Sequence, residues 1–189
     1  MSRQVPTEAN LESLIHTLAN KNGLARQKAR HSLVRAGRPA VPLLIRALQE
    51  SRVDQVRWEA AKALGVMGDA RAIPVLVKAL EDNDADVAWL AAEALQKLQK
   101  AAWPALLHAL IQYGAESAAL RQGAHHVFRR QRQEGFEDLI TALLKALETE
   151  TRPEATTMAA HEILERMDAQ AQESGRRRLP LRRPTQGTS

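Results

Sequence analysis

Apolar residues recur along this chain at helical spacing. From Val56, positions 56, 60, 63, 64 and 67 follow the i, i+4, i+7 rule of a helix with one buried face. A second apolar stretch follows, Ile73-Pro74-Val75-Leu76-Val77-Lys78-Ala79-Leu80. About 31 residues after Val56 the same pair returns, as Val87 to Leu95 and then Trp103 to Leu110. Self-similarity at a fixed period means stacked helical hairpins, each burying its apolar face against its neighbours. No window shows the strict alternation of a β-strand.

The remaining units line up on these two. Ala25 to Leu33 matches Val56 to Leu64, and Leu120 to Phe128 is a further copy, stretched by about two residues. The second helices align as Pro42 to Leu48, Pro74 to Leu80, Pro104 to Leu110 and a weaker Glu137 to Leu143. A lone second helix, Glu8 to Leu18, precedes them, and a lone first helix, Pro153 to Met167, closes the series; the two are expected to cap the stack. Pro42, Pro74 and Pro104 suit a first helical turn, where a missing N–H costs nothing. Asp54 and Asp84 are expected to cap helix starts, and Gly65 and Gly68 to end a first helix. The pattern predicts an all-α, right-handed α-solenoid of about five hairpins, with the array over residues 8–168 and a tail over 169–189. The tail has no helical period and little apolar surface, so it is expected to be disordered.

Composition narrows the class. Hydrophobic residues make up 44% but aromatics only 3%, which implies an Ala, Leu, Ile and Val core between closely packed helices. Cysteine is absent, which excludes disulfides and thiolate metal sites. No apolar run approaches the ~18 residues of a membrane span, and the N-terminus lacks the apolar stretch of a secretory signal. A cytoplasmic protein with no membrane partner is expected. The net charge is +5. The tail, with Arg176, Arg177, Arg178, Arg182 and Arg183 against Glu173, carries +4 of it, so the high pI says little about the folded body.

The run Val-Arg-x-x-Ala-Ala-x-Ala-Leu-Gly-x-x-Gly-Asp-x-Arg-Ala-Ile-Pro-Val-Leu-x-x-Ala-Leu, spanning Val56 to Leu80, resembles the HEAT-like repeat of phycobilisome lyases and many small bacterial proteins. The resemblance is strong in the two central units, good from Ala25 and loose after Leu110. It implies HEAT-like hairpins and a non-catalytic scaffold that binds another protein. It also implies that the second helices line the concave side.

Positions the repeat does not need are the candidates for contact. At about 100° per residue, Ala60, Ala63, Leu64 and Met67 share a face, and Trp58 falls near the opposite one. Trp89 holds the same place a unit later, where the flanking units have Gln27 and Gln122. Neighbouring helices lie about 8–10 Å apart, so the two indoles are expected to form one patch, and exposed Trp is enriched at binding hot spots. The competing reading lays each ring flat over Lys62 or Leu90. Trp103, before its proline, is expected in the core. A second row, His16, Arg46, Lys78, His108 and Thr141, takes one residue from each second helix and suits an acidic peptide or a phosphate-bearing ligand; its competitor is an ordinary solvated face. Arg26, Arg57 and Arg121 are expected to form a structural ladder with carboxylates of adjacent units, Asp54, Asp84 and Asp86 being available.

Catalytic readings find less support. Deoxyhypusine hydroxylase resembles this repeat and places His-Glu pairs where this chain has Trp58-Glu59. The matching positions here, Gln27-Lys28, Trp58-Glu59, Trp89-Leu90 and Gln122-Gly123, contain no His. His125 and His126 diverge on a helix and suit no shared metal. No metal, cofactor or catalytic residue is expected, and the chain reads as a non-enzyme. An alternative is nucleic-acid association through Arg121, Arg129, Arg130 and Arg132 with the five tail arginines, since HEAT-like DNA glycosylases cradle a duplex; the tail alone supports weak, sequence-blind attraction. A further alternative, from the resemblance, is an accessory subunit of a lyase-type enzyme.

Overall fold

In a computed structural model, which describes residues 7–148 and 153–177, the described residues form ten α-helices and no strand. The helices are α1 (Glu8–Thr17), α2 (Gly23–Ala36), α3 (Val41–Glu50), α4 (Asp54–Met67), α5 (Ile73–Lys78), α6 (Ala85–Leu98), α7 (Trp103–Tyr113), α8 (Ala118–Phe128), α9 (Glu137–Glu148) and α10 (Pro153–Arg177). The hairpins α2/α3, α4/α5, α6/α7 and α8/α9 are the repeat units, flanked by α1 and α10. The architecture is an all-α helical solenoid.

Local chemistry sets most boundaries. Asn22 and Asp84 cap α2 and α6, each accepting from the two N–H groups of the first turn, and Ser117 caps α8. Pro42, Pro74 and Pro104 sit in the first turns of α3, α5 and α7, as expected. Asp54 is not a cap. Val53 holds that position without a side-chain bond, and Asp54 lies inside the helix, where its carboxylate takes Arg57 Nη2 at 2.8 Å. Gly68 does end α4, in the left-handed conformation at φ 61°. Gly65 does not. It lies within α4, and a Cβ there would come 3.0 Å from the Ala94 Cβ of α6. Its role is close approach, not termination.

The helices form two layers. One contains α2, α4, α6 and α8, each packed broadly on the next; the other contains α1, α3, α5 and α7, which touch one another sparingly. The difference follows from side-chain size. Ala60, Ala61 and Ala63 of α4 meet Ala91, Ala92 and Ala94 of α6, all fully buried, so the backbones approach closely. Leu33, Leu44, Leu64, Leu76, Leu95 and Leu106 fill the space between layers without solvent contact. Trp103 is core as expected, with Phe128 and Phe136 each 5.5 Å away between ring centres.

The C-terminal end departs from the regular stack. α10 packs on α9, as a first helix should, but also along α7. Lys100 Nζ donates to the Gln170 amide oxygen at 2.9 Å, and Arg166 donates to the Gly135 carbonyl at 2.9 Å and to Asp138 at 3.0 Å. The helix runs on to Arg177, so the expected boundary at 168 and disorder from 169 are corrected for residues 169–177. Anchoring by Ile163, Leu164 and Met167 carries the helical register into that polar stretch. Arg178, Arg182 and Arg183 lie outside the described residues.

One turn carries strain. Gly37 leaves α2 at φ 73°, ψ −142°, a region open to glycine. Gln99, at the equivalent place after α6, has φ 51°, ψ −138°. Gln99→Gly is therefore expected to raise unfolding stability by about 1 kcal/mol, measured by urea denaturation; an unchanged or lower midpoint would refute the strain.

Candidate binding surfaces

The arginine series proves structural. Arg57 donates to Ser51 O at 3.1 Å, Arg26 to Asn20 O at 2.8 Å and Arg121 to Gly114 O at 2.7 Å. Each reaches back into the loop before its helix and holds carbonyls that the preceding turn leaves free. Arg57 also grips Asp82, its Nε and Nη2 at 2.7 and 2.8 Å from the two carboxylate oxygens. The carboxylates used are Asp82, Asp54 and Glu59; Asp84 and Asp86, named as available, take no arginine of this series. Burial pushes the Asp82 carboxyl up, but the Arg57 hydrogen bonds and the Asp84 N–H outweigh it and hold the group below its ordinary range. The same contact, led by the Asp82 hydrogen bond, drives the Arg57 guanidinium further up. Arg71 likewise holds the half-buried Asp69 down to about 2, chiefly by a side-chain hydrogen bond.

Beside this ladder lies an ion cluster the sequence reading missed. Glu59 is only 3% exposed. It takes Arg26 Nε at 3.3 Å and a short contact from Arg30 Nη1, so two guanidiniums share one buried carboxylate across α2 and α4. The other units carry Lys28, Leu90 and Gly123 where Glu59 sits, and Ala61, Ala92 and His125 where Arg30 sits, so the repeat gives no consistent signal for the pair.

Trp58 stands over the cluster. It is half-buried, with Lys62 Nζ 4.3 Å and the Arg30 guanidinium carbon 5.9 Å from its ring centre. An open groove of about 890 Å³ beside it is lined by Gln27, Gln55 and Asp86 among others. Trp89 differs: it is 53% exposed, with its ring edge-on to His126 at 6.0 Å. His126 Nε2 in turn lies 2.9 Å from the Glu93 carboxylate. The two indoles occupy the same layer on adjacent helices, each with its own neighbours: Lys62 and Arg30 at Trp58, His126 at Trp89. Lys62 over Trp58 matches the competing reading of a ring covered by its own helix.

On the other layer His16, Arg46, Lys78, His108 and Thr141 are all exposed, one on each of α1, α3, α5, α7 and α9. Arg46 lies 3.9 Å from Glu12. The row is exposed along the second helices. Of the expected basic segment, Arg121 is engaged in its loop and Arg132 donates to the Gln131 carbonyl at 2.8 Å, while Arg129 and Arg130 are exposed. Arg176 and Arg177 fall on the last turn of α10. His125 and His126 diverge as expected, toward Glu148 and Glu93. Among the described residues no group of three His, Cys, Asp or Glu side chains could hold a metal ion, and no helix is long and apolar enough to cross a membrane.

Comparison with known proteins agrees with this architecture. A family model described as HEAT repeats matches residues 11–96. A solved structure, the complex of CpcE and CpcF of phycocyanin lyase from Nostoc sp. PCC7120, is similar at 23% identity and a TM-score of 0.53, over 81% of this chain and 98% of that one. No curated protein matches the chain. Residues 11–96 are HEAT-like repeats, and the fold over most of the chain is similar to that solved structure.

Two consequences can be measured. Glu59→Ala leaves Arg30 and Arg26 without their buried partner and is expected to cost about 3–5 kcal/mol; a loss under about 1 kcal/mol in urea denaturation, the size of an exposed pair, would contradict the assignment. Asp82 has a depressed folded pKa, so the stability it contributes is full above its unfolded value of about 3.9 and is lost as pH falls through the folded value. Asp82→Asn is expected to lower Tm at neutral pH and to flatten its fall below about pH 4. Melting curves that keep the wild-type acid slope would show that Asp82 is not the titrating group.

Proposed function

We propose that this protein is a non-catalytic adaptor that binds another protein through the faces of its helical layers. The observation that carries the reading is Trp89. In a stack whose repeated positions are Ala and Leu, an indole more than half exposed serves no packing purpose, and such residues are the usual anchors of protein interfaces. The HEAT-repeat match supports a scaffold, because curved stacks of this kind present extended concave surfaces. The similar solved chain is found in a complex with another protein, which is in keeping with the proposal.

Nuclease-treated affinity purification of the tagged full chain, from the cells that make it, tests this. Wild type is expected to retain a protein partner. Trp58→Ala with Trp89→Ala, or Arg46→Glu with Lys78→Glu, is expected to lose it, which assigns the surface. Retention through both double variants would remove both surfaces. If no protein is retained and nucleic acid appears when nuclease is omitted, the adaptor reading fails and the arginine-based alternative replaces it.

A further inference from the structure

We propose that the first-helix face binds an extended acidic peptide segment that places an apolar side chain against Trp89. The proposal rests on the adaptor reading and names the partner's chemistry and its path. Equivalent positions of successive helices form rows across this face. Near the last turns, one row reads Arg35, Val66, Lys97 and Arg130, all exposed. The row before it reads His31, Lys62, Glu93 and His126. Among the described residues Arg35, Lys97 and Arg130 take part in no ion pair, and Glu93 is already engaged by His126. At the opposite, N-terminal edge of the face Asp54 and Asp82 are on Arg57 and Asp84 caps α6, while Asp86 stands exposed. The free charge at the last-turn side of the face is therefore positive and lies in a band across the helices, away from Asp86.

Val66 lies in the first row, and Trp89 lies one turn before the second, its ring edge-on to His126 of that row. Trp89 is 53% exposed and Val66 62%, on adjacent helices. A ligand that fits must bring carboxylates to the cations and an apolar group to the indole. With helices about 8–10 Å apart, the path from α2 to α8 is about 24–30 Å, which about eight residues of extended chain at ~3.3 Å each would span. Single-stranded nucleic acid fits less well. It stacks successive bases on a series of aromatic platforms, and of the three tryptophans here one is buried and another lies under Lys62.

The test uses the full chain and fluorescence anisotropy with labelled probes of about ten residues: a Glu-rich peptide with a central Phe, the same peptide with Ser for Phe, its Lys-for-Glu counterpart, and an oligothymidylate. The Glu/Phe peptide is expected to bind best and the Lys peptide not at all. Trp89→Ala and the Ser probe should each weaken binding about tenfold, which is about 1.4 kcal/mol. Lys97→Glu with Arg130→Glu should abolish it, while Arg46→Glu with Lys78→Glu on the second-helix layer leaves it unchanged. Circular-dichroism melts of each variant separate lost binding from lost fold; all substituted side chains are exposed. Absence of binding by the Glu/Phe peptide overturns the proposal. So does oligothymidylate binding equally well, or loss on the second-helix variant instead of Lys97→Glu/Arg130→Glu. A partner retained from cells and lost only with Arg46→Glu/Lys78→Glu would keep the adaptor reading and remove this one.

Discussion

How near α4 can come to α6 is decided by atoms that are absent. Gly65 has no Cβ where one would stand 3.0 Å from that of Ala94, and the alanines on both helices offer only methyl groups to the contact. Gly123 gives α8 a similar close approach, there to Leu80 after α5, where a Cβ would stand 2.9 Å away. Dispersion and apolar burial reward such approaches. The second helices, with Leu and Ile between them, touch one another less.

Polar groups fasten the layers without being able to replace that packing. The arginines at positions 26, 57 and 121 each hold loop carbonyls that would otherwise lose water without gaining a partner. In the α6 unit, Ala88 stands at that position, and Asp84 capping serves the helix start instead. The Arg26–Arg30–Glu59 cluster goes further, since it buries charge between two units. Such a cluster gains little over a hydrophobic contact of the same volume, yet a broken one is costly. It therefore fixes the register of α2 against α4 more than it adds to stability. Lys62 and Arg30 beside Trp58 extend the same cluster to the surface, which is why that indole is partly covered while Trp89 is free.

The C-terminal end shows how a stack stops. Another first helix in regular position would leave the far side of α8 and α9 repeating the same open face. Instead α10 lies along α9 and α7 together, secured by Ile163 inside and by Lys100–Gln170 and Arg166–Asp138 outside. The apolar end of the core is closed by a helix whose outer side is polar, as a terminal cap requires. The last regular first helix, α8, is left with Arg129 and Arg130 open to solvent.

The sequence by itself determined the helices, their pairing and the repeat, because each depends on local spacing: apolar residues every three or four positions, prolines in first turns, Asp84 and Gly68 at ends. It determined Trp103 as core through the position Trp103 shares with Ile73. It also marked Trp58 and Trp89, and the row from His16 to His108, as residues the repeat does not require. It could not decide how closely the first helices pack, since that depends on how two helices distant in sequence approach. Nor could it decide what covers each indole, whether Gly65 ends a helix or admits a neighbour, or where α10 turns. It left Glu59 unread because a lone carboxylate on a helix looks solvated until Arg30 of another unit is brought against it. Those outcomes belong to the tertiary structure, where contact distance, not spacing along the chain, sets the energy.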